Sequence, residues 1–237
     1  MKNYILTTCK RRCEHLRIAL TSWRMFMPQW VPIVVAVDEP AAFDVTKEVM
    51  SDNLWLGVPD SYPDGFSRLQ HLDAGMRELP SDADLVAILD CDIVALLGTH
   101  EALTAPFSGF CVADCLTTVA IPHDAGVLWT KAEVLREAFD LIRPGISDWV
   151  GYGWEDMLIR AACWLVTSGR IDKRRIMWAH IPHSNEVRTV SNPSDLVAQA
   201  RDNYGRFMRD IRSMCSKRGA VAARELMLKE ILIYPSK

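Results

Sequence analysis

Two short, wholly apolar runs, residues 33–37 and 85–89, constrain the fold more than any other feature of this chain. Each is long enough for a strand and far short of the ~20 residues that cross a membrane. A strand without polar alternation is typical of a parallel sheet covered on both faces. Since each run is followed at once by carboxylates, the sequence predicts an α/β domain with acidic residues at its strand ends.

The segments before and between these runs complete the pattern. Residues 4–8 predict a first strand, and Leu16 and Trp23 belong to one apolar face of the helix expected after it. Strand, helix and strand within about 35 residues form a βαβ unit. Pro28 and Pro32 predict a turn before the second strand.

The rest of the chain alternates helical and strand-like segments. Residues 57–67 are rich in Gly, Pro, Asp and Ser and predict a loop. Helices are expected over residues 67–79, 131–141 (closed by Pro144), 155–168 and most of 194–229, and short strands over 110–113 and 126–129. Because no repeat or linker interrupts the chain, we expect one α/β domain over residues 1–193 with a C-terminal helical extension over residues 194–237.

The composition fits a soluble globular protein, with 49% hydrophobic and 24% charged residues. The seven cysteines form no CxxC pair, and the N-terminus enters the first strand without the apolar core of a secretory signal. We therefore expect reduced thiols and a cytoplasmic protein.

Charge is distributed unevenly along the chain. Residues 170–237 hold 14 Lys and Arg against 7 Asp and Glu, whereas residues 1–169 hold 13 against 23. Such asymmetry is typical of a surface for an anionic partner. It is equally consistent with a solvated C-terminal helix that packs on an acidic body.

Asp90-Cys91-Asp92, directly after the third predicted strand, is the strongest local signal. Open α/β sheets bind their ligands at the carboxyl ends of the strands. Alternate residues of an extended segment face the same way, so both carboxylates can meet one cation. Oxygen ligands suit Mg²⁺ or Mn²⁺, which commonly bridge to phosphate. The alternative is a pair of solvated carboxylates.

Two further clusters point to the same kind of chemistry. Glu155 and Asp156 follow a glycine-aromatic loop at a predicted helix start, which suits either a general base or simple N-terminal capping. His180 and His183 are close enough in sequence to converge on one ion, and Mn²⁺ accepts carboxylate and imidazole together. The alternative for the histidines is a structural role in the core.

Smaller signals lie at other strand ends. Lys10 and Arg12 follow the first predicted strand, where they can meet a phosphate or a nucleobase. Asp38 ends the second strand, where it can accept a hydrogen bond from a base. Gly126 opens a short strand that can line the cleft. Each of these residues also has an ordinary surface interpretation.

In their order and spacing, these motifs resemble the GT-A glycosyltransferases, and within them the β-1,4-galactosyltransferase group and its polypeptide N-acetylgalactosaminyltransferase relatives. The resemblance spans roughly residues 4–210 and rests on Arg12-Cys13-Glu14-His15-Leu16, Leu89-Asp90-Cys91-Asp92, Gly151-Tyr152-Gly153-Trp154-Glu155-Asp156 and His180-Ile181-Pro182-His183-Ser184. These are similar, in turn, to the family's Arg-Gln-Glu-His-Leu, its metal-binding Asp-x-Asp, its Gly-Trp-Gly-Gly-Glu-Asp and its late His-Ser metal ligand.

The resemblance implies a GT-A fold, with a Rossmann-like mixed central sheet flanked by helices, and metal-dependent transfer of a sugar from a UDP-sugar to an acceptor hydroxyl. It assigns the catalytic base to Asp156 and the cation, Mn²⁺ or Mg²⁺, to Asp92, His183, His180 and Asp90. The nucleotide is expected at Thr7, Thr8, Lys10, Arg12, Asp38 and Asp90. The acceptor and the transferred sugar are expected at Tyr152, Gly153, Trp154, Glu155 and Gly126.

The chain departs from the family at several of these positions. Tyr152 replaces the mobile-loop Trp, Trp154 replaces a Gly, and His180 stands where the vertebrate galactosyltransferases have Met. The choice of sugar and acceptor is therefore not carried over, and a second imidazole can tighten metal binding or extend it to Mg²⁺. The family's Golgi members have a membrane anchor that is not found here, which predicts a cytosolic acceptor, as in a bacterium or a phage-infected cell.

Several alternatives remain at this point. A single displacement with Asp156 as base inverts the anomeric centre, whereas the N-acetylgalactosaminyltransferase relatives retain it. The acceptor is a glycan or, given the basic residues 170–237, a hydroxylated base in DNA or RNA that must flip into the cleft. A sugar-phosphate nucleotidyltransferase uses a similar sheet, although its Gly-rich basic loop is missing here. A non-catalytic nucleotide- or carbohydrate-binding protein is the other alternative.

Overall fold

The computed structural model describes residues 1–37, 40–50, 54–58, 67–116, 127–149, 154–181 and 193–232 of the 237-residue chain. The strands are β1 (Asn3–Cys9), β2 (Trp30–Val37), β3 (Leu54–Val58), β4 (Leu85–Ile88), β5 (Ile93–Ala95), β6 (Phe110–Leu116), β7 (Leu128–Lys131) and β8 (Ile171–His180). The helices are α1 (Cys13–Phe26), α2 (Pro40–Val49), α3 (Arg68–Arg77), α4 (Thr99–Thr104), α5 (Ala132–Ile146), α6 (Glu155–Val166), α7 (Pro193–Lys217) and α8 (Arg224–Leu232), with a 3₁₀ turn at Val221–Ala223.

All of these strands belong to one mixed sheet in the order β3-β2-β1-β4-β7-β6-β8-β5. The first four in this order run parallel, as the wholly apolar runs predict. Strand β7 runs antiparallel to β4 and β6, while β8 pairs parallel with β6 and antiparallel with β5. The prediction of an α/β fold with a mixed central sheet flanked by helices is confirmed.

Side-chain alternation along the strands divides the core into two layers, one on each face of the sheet. Leu6 and Val35 belong to one layer, whereas their chain neighbours Ile5 and Val34 belong to the other. Helices α3, α5, α6, α7 and α8 cover the first layer, and α1, α2 and α4 cover the second. Burial on both faces explains why these strands carry no polar alternation.

Helix α3 packs closely on the sheet, and this contact fixes where its first residue, Arg68, lies. A Cβ atom at Gly75 would be 2.4 Å from Cδ1 of Leu6 and 2.8 Å from Cγ2 of Val35. A larger residue would push the helix away from β1 and β2, since a packed core has no room for an added group. Because Gly75 has no side chain, α3 lies close to β1 and β2. This close packing determines the position of Arg68, the first residue of α3, in the site described below.

Strand β2 begins earlier than the sequence predicts. Pro32 lies inside this strand, opposite Ile5 of β1, so a turn bounded by Pro28 and Pro32 is wrong at its second proline. The proline is tolerated because the described part of β3 begins pairing at Ile33. Among the described residues, Pro32 pairs with β1 alone, and sheets accept proline where one side of a strand is unpaired.

Helix α5 ends later than the sequence predicts. It continues to Ile146 and includes Pro144, which the sequence places at a stop. A proline in the last turn removes one backbone hydrogen bond and crowds the carbonyl four residues before it, but it interrupts little helix beyond itself. Burial of Ile142 and Ile146 offsets that loss, because both continue the apolar face of the helix.

Strand β8 is not predicted at all, because its first half contains Asp172-Lys173-Arg174-Arg175. Its backbone nevertheless pairs with β6 from Ile171 to Arg175 and with β5 from Trp178 to His180. Arg174 donates hydrogen bonds to the carbonyls of Ala102 and Pro106 and to the carboxylate of Asp172. Backbone pairing and these local bonds thus support a strand that hydrophobic periodicity does not reveal.

The helical prediction for the C-terminal region is confirmed by α7 and α8, which join the core layer that also contains α5 and α6.

Within the described ranges, no helix combines the length and the apolarity that crossing a lipid bilayer requires.

Candidate active site

The first part of the site lies at the carboxyl ends of β1 and β4, which are neighbours in the sheet. Asp92 is only 1% exposed, and its Oδ2 accepts a hydrogen bond of 2.5 Å from Nη1 of Arg12. Arg12 follows β1 and Asp92 follows β4, so the parallel pairing of the two strands brings them together. A guanidinium at this distance offsets part of the cost of burying a carboxylate.

His180 approaches the same carboxylate from the end of β8. Strands β5 and β8 pair so that His180 lies opposite Ile93, the residue after Asp92. Nε2 of His180 is 3.6 Å from Oδ1 of Asp92, and the N–H of Ile181 donates to the Asp92 carbonyl at 2.9 Å. Strand register therefore places an imidazole beside a buried carboxylate, although the two are far apart in sequence.

Arg68 is the centre of the second part of the site. Its side chain is 6% exposed and forms an ion pair with Asp156 and another, at 2.6 Å, with Oδ1 of Asp90. Oε1 of Glu155 lies 3.9 Å from its Nη1. Nε of Arg68 is also buried and has no hydrogen-bond partner within the described residues. One guanidinium thus joins the segment after β4 to the start of α6.

The three carboxylates around Arg68 differ in their access to solvent. The Asp90 and Asp156 side chains are 34% and 33% exposed, whereas that of Glu155 is 6% exposed. Burial and the neighbouring carboxylates raise the pKa of Glu155 to about 7, and burial raises that of Asp90 to about 6. Burial opposes the charge of Arg68, but Asp156, Asp90 and Glu155 outweigh it and raise its pKa well above the ordinary value.

A first prediction concerns Glu155, whose raised pKa makes folding less favourable as it ionises. The unfolded chain ionises near its ordinary value of 4.5, so Glu155 costs stability progressively between about pH 4.5 and pH 7. Glu155→Gln removes that cost. We expect this variant to unfold at higher urea concentration than the wild type at pH 8, with the difference shrinking towards pH 5.

The matched control for this prediction is Glu133→Gln on α5. The Glu133 side chain is 76% exposed and forms a loose ion pair with Lys131, 3.9 Å away. Its urea midpoint should follow that of the wild type at both pH values. Equal pH dependence in Glu155→Gln and the wild type would contradict the raised pKa.

Trp154, the residue before α6, has an unusual backbone conformation. Its φ of +70° lies in the left-handed region, which a bulky residue rarely adopts. Its ring contacts Tyr204 and Phe207 of α7, with centroid distances of 4.8 and 5.2 Å. Helix α7 therefore supports the residue that directly precedes Glu155 and Asp156.

Trp149, the last described residue before residues 150–153, also contacts helix α7. Its Nε1 donates to Oδ2 of Asp210 on α7 at 2.9 Å. Its carbonyl accepts hydrogen bonds from Ser67 and Gln70 at the start of α3, at 2.7 and 2.9 Å. The start of α3, which carries Arg68, and helix α7 thus meet at one residue next to the site.

The remaining predicted residues have different outcomes. Thr7 and Thr8 lie in β1 and are buried, at 0% and 6% exposure, and Lys10 follows that strand. Asp38, Gly126, Tyr152, Gly153 and His183 lie outside the described residues. The roles given to all of these residues stay predictions.

Arg68 is the main residue that sequence reasoning misses. Its neighbours Leu69 and Leu72 identify an apolar helix face, and a basic residue at the start of a helix attracts no attention. The available signal is the predicted loop at residues 57–67, which places Arg68 in the first turn of the helix expected over residues 67–79. A charged residue at such a boundary needs counter-charges, and the chain's acidic motifs supply them.

The described residues offer part of a ligand set for the divalent cation that the resemblance implies. Among the residues that the structure describes, no three His, Cys, Asp or Glu side chains converge as a metal-binding group. Asp92 and His180 do form a carboxylate–imidazole pair, a combination that Mn²⁺ accepts. These two residues therefore fit such an ion as two of its ligands. His183, a further predicted ligand, lies outside the described ranges.

The mixed sheet, with helices on both faces, is a fold that this chain shares with glycosyltransferases of known structure. It is similar to the mannosyltransferase PcManGT from Pyrobaculum calidifontis, solved in complex with GDP-Man and Mn²⁺, with a TM-score of 0.53 and 13% identity over 100% of this chain and 76% of that one. It is also similar to TarS 1-349 from S. aureus, with a TM-score of 0.56 and 9% identity over 97% of this chain and 86% of that one.

Neither a protein-family model nor a curated protein matches this sequence. At identities this low, likeness to solved structures establishes the fold alone. The resemblance to the galactosyltransferase group therefore stays a prediction, supported in its coarser part by the glycosyltransferase fold.

Proposed function

We propose that this protein is a metal-dependent glycosyltransferase that moves a sugar from a nucleotide-sugar donor to an acceptor hydroxyl. One observation carries the proposal: at the ends of β4 and β8, Asp92 lies beside His180, and Asp90 pairs with a buried arginine that also pairs with Glu155 and Asp156 of α6. A UDP-linked donor is the form that the sequence resemblance favours.

The donor half of the reaction is assigned to the residues after β1, β4 and β8. Asp92 and His180, with His183 and Asp90, would hold the cation, and a bound cation there would neutralise charge on a leaving diphosphate. Arg12 holds the Asp92 carboxylate through a direct hydrogen bond and so fixes its orientation. The nucleotide is assigned to the end of β1, where Thr7, Thr8, Lys10 and Arg12 lie, together with Asp38.

The acceptor half is assigned to the start of α6. The acceptor oxygen bonds to the anomeric carbon while the bond from that carbon to the diphosphate oxygen breaks. The acceptor proton passes to a carboxylate oxygen of Asp156, the more exposed of the two acids that begin α6. Such a single displacement inverts the anomeric centre.

Arg68 connects the residues assigned to the donor with those assigned to the acceptor and keeps them in a fixed arrangement. Its ion pairs with Asp90 and Asp156 set the distance between the donor and acceptor sides. A fixed base is worth more than a mobile one, because displacement requires close alignment of the reacting atoms. Arg68 acts here as a positioning residue and need not contact either substrate.

A glycan acceptor is favoured over a nucleic acid. Several basic side chains of residues 170–237 are already paired within the protein: Arg174 with Asp172, Arg209 with Asp148 and Asp210, and Arg218 with Glu137. Paired arginines offer less net charge to phosphates, on which affinity for nucleic acid depends. Binding to DNA at low salt that falls steeply with added salt would reverse this preference.

The test is a thermal-shift panel of nucleotides and nucleotide sugars with and without Mn²⁺. A bound nucleotide at about 100 times its dissociation constant should raise Tm by roughly 5–10 °C in the presence of Mn²⁺. Asp92→Asn should remove that shift. The matched control is Asp73→Asn. Like Asp92, Asp73 is a buried aspartate that pairs with arginine, here Arg77 and Arg143, but it lies outside the site.

The products distinguish the alternatives. A glycosyltransferase releases a nucleoside diphosphate from the donor sugar, whereas a nucleotidyltransferase releases pyrophosphate from a nucleoside triphosphate. A nucleotide-dependent shift with neither product would favour a non-catalytic binding protein. No shift with any nucleotide and metal would overturn the proposal.

A further inference from the structure

The two oxygens of the Asp92 carboxylate face different partners. Oδ2 accepts a hydrogen bond of 2.5 Å from Nη1 of Arg12, and Oδ1 lies 3.6 Å from Nε2 of His180. Because the Asp92 side chain is only 1% exposed, these neighbours determine what each oxygen can bind. The carboxylate therefore presents one oxygen to a guanidinium and the other to an imidazole.

Regular structure on both sides holds Asp92 and Arg12 in this arrangement. The N–H of Ile181 donates to the Asp92 carbonyl at 2.9 Å, directly after the end of β8. The carbonyl of Arg12 accepts the N–H of Leu16 at 2.9 Å, at the start of α1. The carboxylate therefore cannot turn both oxygens towards one ion without losing its hydrogen bond from Arg12.

The backbone before Arg12 is strained, which indicates that this side chain is required in its place. Arg11 has a φ of +55°, in the left-handed region that residues other than glycine rarely adopt. Such strain costs free energy and persists where the surrounding structure demands it. Here it lies between the end of β1 and the start of α1, one residue before the guanidinium that reaches Asp92.

We propose that Arg12 determines which divalent cation the site selects, an inference that rests on the metal-dependent function proposed above. Since Nη1 of Arg12 engages Oδ2, a cation between Asp92 and His180 binds the carboxylate through Oδ1 alone. The 3.6 Å between Oδ1 and Nε2 fits one small ion, because two ligand atoms each about 2.1 Å from it are at most about 4.2 Å apart.

Coordination through one oxygen favours Mn²⁺ or Mg²⁺ over Ca²⁺. Ca²⁺ takes about six to eight oxygen ligands and often binds a carboxylate through both oxygens, whereas the octahedral ions need fewer ligands. A carboxylate limited to one oxygen removes a ligand from Ca²⁺ and leaves an octahedral ion complete. Arg12 acts here as a specificity-determining residue that contacts a metal ligand and not the metal.

The test is the ratio of Mn²⁺ to Ca²⁺ affinity in the presence of UDP, for the wild type and for Arg12→Met. Mn²⁺ binding is followed by the EPR signal of the free ion, and Ca²⁺ binding by competition. Loss of the arginine charge strengthens binding of both divalent ions alike, so only the release of Oδ2 changes the ratio. We expect Arg12→Met to shift the ratio towards Ca²⁺ by about tenfold.

Two further variants serve as controls. Arg12→Lys keeps one cationic donor for Oδ2, so its ratio should stay within about twofold of the wild type. Arg17→Met removes another arginine of α1, one that pairs with Glu48 at 2.5 Å outside the site, and should leave the ratio unchanged.

A crystal structure of the wild type with Mn²⁺ and UDP gives a second readout, which does not require Arg12→Met to fold. It should show the ion on Oδ1 of Asp92 and Arg12 on Oδ2. An ion on both oxygens or on Oδ2 would overturn the inference.

The outcomes separate this inference from the proposed function. An unchanged ratio in folded Arg12→Met, with Mn²⁺ still bound and Asp92→Asn unable to bind it, shows that Arg12 does not select the ion and that the metal-dependent function stands. If the wild type binds no divalent cation in the presence of UDP, the metal dependence of the proposed function fails together with this inference.

Discussion

Arg68→Met should lower the free energy of unfolding by about 3–5 kcal/mol at pH 8, because it leaves a group of ionised carboxylates without their cation. Asp90, Glu155 and Asp156 all pair with this single guanidinium, and Glu155 is almost fully buried. Activity should be lost at the same time, since Asp90 and Asp156 lose the group that positions them. Urea unfolding and donor turnover, measured on the same preparation, check both expectations.

The pH dependence of this variant identifies the cause. Without Arg68, burial and mutual repulsion raise the pKa values of Glu155 and Asp90 further above about 7 and about 6. At pH 5.5 these groups are protonated, so the loss of stability should shrink markedly. The variant therefore becomes less stable as the pH rises, relative to the wild type.

Arg77→Met is the control on the same helix. Arg77 is 64% exposed, and its partner Asp73 keeps a second arginine, Arg143, at 2.9 Å. Its removal should cost less than about 1 kcal/mol at either pH. Equal losses in Arg68→Met and Arg77→Met, or an Arg68→Met enzyme with normal stability and turnover, would refute the central position of Arg68.

The part of the fold that the sequence predicts is the part buried on both faces. Strands β2 and β4 are visible as apolar runs because helices cover both sides of them. Strand β8 is invisible because its stability comes from backbone pairing with β6 and β5 and from hydrogen bonds of Arg174. Those contacts join distant segments and leave no period in the sequence.

The site divides in the same way. Asp90, Asp92 and Asp156 are detectable because each stands beside a local signal, the end of an apolar run or the start of a helix. Arg68 is not detectable from the sequence, because its partner Asp156 is 88 residues away. Its position also depends on the close packing of Gly75 on β1 and β2. Charge neutralisation across such a distance follows from the packed structure.

The contacts between α7 and the site are another feature that the sequence reveals only in part. Trp149 carries no signal of its own in the sequence, whereas Trp154 belongs to the glycine-aromatic loop before the predicted helix. The structure adds that Asp210 hydrogen-bonds to the first and that Tyr204 and Phe207 contact the second. The C-terminal helix is therefore part of the scaffold of the site, in addition to carrying basic charge.

Asp156→Asn should reduce kcat by roughly 10²–10⁴-fold, the usual contribution of a general base, without weakening nucleotide binding. The amide cannot accept the acceptor proton, yet its oxygen can still accept a hydrogen bond from Arg68, so the fold should be preserved. The measurement is single-turnover transfer at saturating donor, together with the Tm shift given by UDP and Mn²⁺. Transfer should fall while the nucleotide shift remains that of the wild type.

Asp140→Asn provides the matched comparison, because Asp140 is also an aspartate paired with an arginine, Arg143, but is 67% exposed on α5. It should transfer sugar at the wild-type rate. If Asp156→Asn keeps kcat within a few-fold while Asp92→Asn still abolishes the nucleotide shift, the donor site is right and Asp156 is not the base. Glu155 cannot then simply replace it, because a side chain 6% exposed offers an acceptor hydroxyl no direct access unless the start of α6 moves. The proton acceptor would have to come from outside the residues grouped around Arg68, and inversion by a carboxylate of this cluster would no longer follow.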